Sequence, residues 1–177
     1  MTASGKAGSG ATISGATISG ATGTGATGAT ASGSTVFAAS AAMGRTVRGQ
    51  ALVAADGFSA RYDLDRIAGV FSRPRHSLFG RSYVGMVLIL DRAKGGVATA
   101  WMLREMAVRG IVPAALVFNT VNPIMVQGAA LADATMMSGF DIDITTAVPD
   151  GALVEVDAEA TPPVLRILRA PRSFAHE

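Results

Sequence analysis

Residues 94 to 99, Lys-Gly-Gly-Val-Ala-Thr, lie where an apolar run gives way to a helical pattern. Gly95 and Gly96 at such a junction leave backbone N–H groups open, and a helix start adds partial positive charge. An anion would suit that loop, with Lys94 supplying a full charge. The stretch is neither a Walker A loop nor Gly-x-Gly-x-x-Gly. On pattern alone, a tight strand-to-helix turn is the simpler account.

His76 lies beside Arg73 and Arg75 in a stretch rich in aromatics. An imidazole there could serve as general acid or base, or contact a substrate, although a structural histidine is the plainer reading. His176, next to the last residue, reads as terminal tail. Asp63 with Asp65, and Asp141 with Asp143, are carboxylate pairs without further ligands. They read as caps or ion pairs, the first with Arg61 and Arg66. Asn119, Asn122 and Gln127 follow an apolar strand, at the carboxyl end where α/β proteins gather ligands. Trp101, Met136 and Met137 read as core.

What is missing narrows the chemistry. There is no cysteine and there are only 2 histidines, so no thiol chemistry and no metal site built by this chain are expected. No Ser-His-Asp set is evident. The charge is +2, with arginines scattered from Arg45 to Arg172, which argues against a nucleic-acid surface. No apolar run reaches the length of a membrane span. The first residues resemble neither a signal nor a transit peptide, so the cytoplasm is the expected compartment. A domain so poorly equipped with reactive groups suits a subunit that completes the site of another chain.

The elements that must position these residues follow from apolar spacing. Residues 9–35 repeat Gly-Ala-Thr with Ile13 and Ile18 as the only large apolar side chains, too little to offset ordering entropy. Residues 1–44 are therefore read as a disordered tail, with 35–44 a short transition that either docks a helical turn or stays loose, 45–170 as the folded domain and 171–177 as a second tail. Strands are expected at 46–54, 83–90, 114–118, 135–137, 152–156 and 164–168, with a bulge or bend at Gly49. Val97, Trp101, Leu103, Met106 and Val108 recur at helical spacing over 98–109, stopped by Gly110. A short helical turn follows Asn119. The strand–loop–helix–strand order makes the strands at 83–90 and 114–118 parallel. Residues 57–82 form a long irregular segment whose Phe58, Tyr62, Leu64, Phe71, Leu78, Phe79 and Tyr83 should pack against something. The fold class is α/β with a mixed sheet.

In order, "GQALV", "DRIAG", "RPRHSLFGRSYVGMVLIL", the glycine loop, "GIVPAALVF" and "NPIMVQGA" resemble the small subunit, or swivel domain, of the aconitase X family, over Arg45 to Leu168. The most specific piece is "RHSLFGRSYVG", similar to the family's His-Pro-Leu-x-Gly-x-Ser-x-x-Gly. The resemblance implies a swivelling β/β/α fold and a hydro-lyase reaction, as in dehydration of mevalonate 5-phosphate or cis-3-hydroxy-L-proline. It implies a large partner subunit that carries an iron–sulfur cluster and most substrate contacts, with no cofactor bound by this chain. The family's loop reads Gly-Ser-Ser or Gly-Ser-Thr, and its first serine is the proposed proton acceptor. Laid on that pattern, Gly95 keeps the glycine and Gly96 takes the place of the serine, without a hydroxyl. Thr99 is the nearest hydroxyl in the loop, and His-Pro has become His76-Ser77. The resemblance thus marks Gly96, Thr99 and His76 as catalytic positions and Lys94, Gly95, Val97 and Asn122 as substrate-binding ones.

Two alternatives stand beside the enzyme subunit. One is a non-catalytic assembly or ligand-binding swivel that has lost its base. The other is a phosphocarrier, because "GGVATAWMLRE" faintly echoes the loop of phosphohistidine domains; the histidine is missing, with Thr99-Ala100 near its place, and this function is rejected.

Overall fold

The computed structural model describes residues 34–171, so Ile13, Ile18, His176 and residues 172–177 lie outside the described residues. Along the chain come β1 (Thr35–Met43), β2 (Val47–Ala54), β3 (Leu64–Asp65), β4 (Val70–Phe71), β5 (Val87–Arg92), α1 (Val97–Arg109), β6 (Ala115–Thr120), α2 (Pro123–Leu131), β7 (Thr135–Phe140), α3 (Ile144–Ala147), β8 (Leu153–Asp157) and β9 (Val164–Arg169). Seven strands close into a barrel in the order β1-β7-β6-β5-β2-β8-β9. β2, β5, β6 and β7 run parallel, while β1, β8 and β9 supply the antiparallel part. The mixed α/β class and the parallel crossover are as expected; closure of the sheet was not foreseen.

Closure depends on two long strands that change partners midway. β2 pairs with β8 over Val47–Gln50 and with β5 over Ala51–Ala54. The change falls just after Gly49, where a side chain would press on Val87 Cγ2 at 3.2 Å and Gly85 O at 3.3 Å. β1 makes the same switch, from β9 over Thr35–Ala38 to β7 over Ala39–Met43. This corrects the expectation that the ordered part begins at Arg45 and that residues 35–44 are a helical turn or a loose transition. The backbone ladders on both sides hold β1, and of its side chains only Ala39 is fully buried. A strand held by hydrogen bonds rather than apolar bulk leaves a faint trace in the sequence.

β5 is apolar at successive positions because both its faces are covered. Val87 and Ile89 meet Ala115, Val117, Met137, Val154, Val156 and Leu165 inside the barrel. Leu88 and Leu90 point the other way, with Leu116, Phe118 and Met136, onto Leu103 and Met106 of α1 and Met125 of α2. The segment 57–82 packs on that outer layer as expected: Phe58, Leu64, Phe71, Leu78 and Tyr83 are buried, whereas Tyr62 and Phe79 stay exposed.

Trp101 corrects the sequence reading. It is 61% exposed rather than core. At about 100° per residue, Val97, Trp101 and Val108 fall within about 40° of one another, and Thr99, Leu103 and Met106 lie on the opposite side. The helix thus carries two apolar faces, and the barrel takes the second. Met136 and Met137 are buried as expected.

On the outer side of β8 and β9, Glu155 binds Arg48 at 2.5 Å and Arg166 at 2.8 Å, and Asp157 binds Arg166 at 2.9 Å. The Arg48 hydrogen bond holds the Glu155 carboxyl below its ordinary 4.5, and the Arg166 bond holds Asp157 below its ordinary 3.8. Folded values below the unfolded ones mean that this stabilisation is complete above about pH 5 and is lost as pH falls through the folded values. Urea midpoints should therefore be flat from pH 7 to about 5 and fall below about 4.5. Arg166→Gln should shrink that fall; an unchanged acid limb would show that other carboxylates carry it.

Candidate functional site at the carboxyl ends of the parallel strands

β5 ends at Arg92, and the chain then runs flat across its neighbours before α1 begins. Phe58 N–H donates to Arg92 O at 2.8 Å, Lys94 N–H to Phe58 O at 2.7 Å, and Ala93 N–H to Thr120 O at 3.0 Å. The loop 93–96 is thereby stitched to the exits of both β2 and β6. Asn122 adds the remaining tether. Its side-chain Nδ2 donates to Ala93 O at 3.1 Å and to Gly95 O at 3.5 Å, while its Oδ1 accepts from Met125 N–H at 2.9 Å as the N-cap of α2. One carboxamide thus both starts a helix and holds the loop. Asn122→Ala should cost about 1–2 kcal/mol, the range for a lost cap with a further hydrogen bond, read as a shift in urea midpoint.

The two glycines differ. Gly95 has φ +118°, and a Cβ on it would overlap the Thr99 hydroxyl and come within 3.6 Å of Ser59 Oγ. Thr99 is 2% exposed and tucked beneath the loop. Gly96, the N-cap of α1, has an ordinary extended φ of −119°, makes no side-chain cap, and faces open space. The N–H groups of Val97 and Ala98, first in α1, have no carbonyl within the helix to receive them. Lys94, Gly95, Gly96 and Val97 are all exposed, and the Lys94 stem lies across Gly57. The arrangement offers backbone donors and one cation around an open mouth, with Thr99 below and no hydroxyl at Gly96.

His76 approaches from the 57–82 segment. It is 5% exposed, stacked against Phe71 with ring centroids 4.6 Å apart, and its Nδ1 accepts from Leu78 N–H at 3.1 Å. That bond leaves the proton on Nε2, which is buried without a partner. The adjoining Ser77 donates its hydroxyl and its N–H to Asp56, at the exit of β2. The Ser77 hydroxyl holds the Asp56 carboxyl below its ordinary value, with nearby His76 and Lys94 adding to the effect. Asp56 therefore links the histidine turn to the glycine loop. Ser59 Oγ is the other buried side-chain atom without a partner among the described residues.

Asp56 and Ser59 escaped the sequence reading. Their signal was position after β2, the logic that flagged Asn119 and Asn122 after β6, but the pairing of β2 with β5 spans the whole irregular segment. Asp63, Asp65 and Asp143 take structural roles, as expected, with one change of partner. Asp63 binds Arg73 rather than Arg61 or Arg66, and Asp65 caps the turn at Ile67 and Ala68. Asp143 caps α3. Asn119 donates to Asp143 at 2.7 Å and Asp91 at 3.3 Å and accepts from Ile144 N–H at 2.9 Å, so its carboxamide is fully used. Its bond is the main cause holding the Asp143 carboxyl below its ordinary value. Gln127 lies exposed on α2. A separate cavity of about 520 Å³, lined by Gln50, Asp150, Leu153, Arg169 and Pro171 among others, contains none of the loop residues.

Among the described residues no group of three His, Asp or Glu is placed to hold a metal, and the sequence has no cysteine. None of its described helices is long and apolar enough to cross a membrane.

Comparison with known proteins sets this loop in context. The chain is 34% identical over 115 residues to the phosphomevalonate dehydratase small subunit of Methanothrix thermoacetophila, covering 65% of this chain and 83% of the relative. It is 28% identical over 117 residues to the protein of the same name from Methanocella arvoryzae, covering 66% and 89%. The fold matches the crystal structure of Thermococcus kodakaraensis aconitase X in its holo form, with a TM-score of 0.64 and 22% identity over 72% of this chain and 98% of that one. Residues 36–162, which take in nearly the whole barrel and the loop at its mouth, match the aconitase X swivel domain, and the chain belongs to that family.

Proposed function

We propose that this chain is the small subunit of an aconitase X-type hydro-lyase, working in the cytoplasm as a heterodimer with a large subunit. In this reading the loop 94–99 closes over a small hydroxy-acid or hydroxy-imino-acid substrate held mainly by the large iron–sulfur subunit. One observation carries the reading: the family match covers six of the seven barrel strands together with an exposed glycine loop tethered at the exits of β2, β5 and β6. Relatives named phosphomevalonate dehydratase small subunits favour an anionic substrate. Lys94 and the N–H groups of Val97 and Ala98 suit such a group, and Asn122 fixes the loop that presents them. The irregular segment adds two buried polar atoms without a partner, Ser59 Oγ close to Gly95 and His76 Nε2. A cluster would have to be bound by the partner, and this chain's part is to bind, orient and exclude water.

The test is co-expression with the large subunit of the same organism, assaying dehydration of mevalonate 5-phosphate and of cis-3-hydroxy-L-proline. Activity is expected only with both chains; equal turnover by the large subunit alone overturns the proposal.

Gly96 favours a second reading, a swivel without its base. A glycine in the serine position has no proton to exchange, yet the open space and extended φ at Gly96 leave room for a serine side chain. If Gly96→Ser raises dehydratase turnover by about 100-fold, the range for a positioned base, the native chain is the baseless form. Turnover already present in the native pair and unchanged by the substitution supports the catalytic subunit.

A further inference from the structure

The face of α1 that the barrel leaves uncovered is apolar, central and joined to the site. Val97 is 62% exposed, Trp101 61% and Val108 81%, on one stripe of the helix. Arg104 lies on the same stripe and donates to Leu131 O at 3.1 Å, which brings the exposed end of α2 alongside. On another side, Arg66, next to the 80% exposed Ile67, pairs with Glu105 of α1 at 3.6 Å. Nothing in the packing of the domain requires these side chains to be apolar. A tryptophan and an arginine at the centre of an exposed apolar patch are the residues that dominate binding surfaces.

We infer that the Val97–Trp101–Val108 face of α1 is the surface on which the large subunit docks. The inference rests on the reading that this chain works with such a partner. Relatives that share 83% and 89% of their own length with this chain are themselves named small subunits, a name that implies a large subunit as the partner. Continuity fixes the place. Val97 directly follows Gly96, so a partner seated on the stripe reaches the mouth of the loop without a gap. Docking there would bury the stripe and align the donors of residues 94–98 with the partner's site in one step.

Trp101 is the only tryptophan of the chain, which makes a direct test possible. The full chain labelled with 5-fluorotryptophan gives a single fluorine resonance, to be titrated with the unlabelled large subunit of the same organism. The resonance is expected to shift and to lose most of its difference between H2O and D2O when the complex forms. Trp101→Glu, with an unchanged circular dichroism spectrum, should weaken binding by more than 30-fold, roughly the loss of a hot-spot side chain. Leu168→Glu, on β9, should not. A complex by size exclusion whose resonance keeps its solvent sensitivity overturns the docking face while leaving the subunit reading intact. No complex at all overturns the subunit reading and the face with it. A resonance already shielded in the free chain also overturns the proposal: it means a second copy if shielding grows with concentration, and a segment of this same chain if it does not.

Discussion

Gly95→Ala is expected to destabilise the chain by about 2–3 kcal/mol and to abolish any activity that depends on the loop, whereas Gly96→Ala should change stability by less than about 1 kcal/mol. The two positions are adjacent and chemically identical, so composition offers no reason for the difference. Gly95 holds φ +118°, where a side chain is strained by roughly 1–2 kcal/mol or more. Its Cβ would also overlap the Thr99 hydroxyl, and Thr99 is packed, with 2% of its surface exposed. Gly96 has neither problem. A double-mutant cycle with Thr99→Ala separates the two causes. If overlap matters, Gly95→Ala should cost less in the Thr99→Ala background, and the remainder is backbone strain. Equal stability of Gly95→Ala and Gly96→Ala in urea would refute the distinction.

The same pair of glycines shows what the sequence could and could not say. That a strand hands over to a helix through a glycine turn was legible, because apolar periodicity and the stop at Gly110 are local signals. Which glycine the fold requires was not, because the answer lies in Thr99 beneath the loop and in the φ that the neighbouring strands impose. The barrel was hidden for a similar reason. Its parallel half announces itself in Val87–Leu90 and Ala115–Phe118, whose two covered faces demand unbroken apolar runs. Its closure depends on β1, where Ala38, Ala39, Ala41 and Ala42 bring little bulk and the ladders to β7 and β9 do the holding. Trp101 failed in the opposite direction: apolar residues on both sides of one helix look like a single core stripe until the 100° step is followed around it. Asn122 was placed by topology alone, and the structure adds that its carboxamide is spent on tethering the loop.

Asp63 is where the irregular segment should prove most fragile. Its carboxylate is fully buried, accepting from Ser59 N–H at 2.7 Å and from Arg73 at 3.1 Å, while Asp63 N–H donates to Ser59 O at 2.9 Å and Asp63 O accepts from Ser72 N–H at 2.8 Å. One residue therefore ties the exit of β2 to the strand pair β3–β4 and to the turn that carries His76. Asp63→Ala strands the buried Ser59 N–H and frees Arg73, and should cost about 2–4 kcal/mol in urea unfolding. Asp63→Asn keeps an oxygen for Ser59 but loses the charge opposite Arg73, so it should cost less. Arg73 is half exposed, and water can replace much of what Arg73→Ala removes from its outer side. The order Asp63→Ala, then Asp63→Asn, is the diagnostic. If the asparagine variant is as unstable as the alanine one, charge and not the Ser59 hydrogen bond holds the segment. Amide exchange gives the same answer locally: Ser59 N–H should lose protection in Asp63→Ala well before the barrel amides of Leu88 and Leu116 do. The histidine turn and the loop beneath it would then loosen together, since Asp56 and Phe58 join them to this same exit of β2.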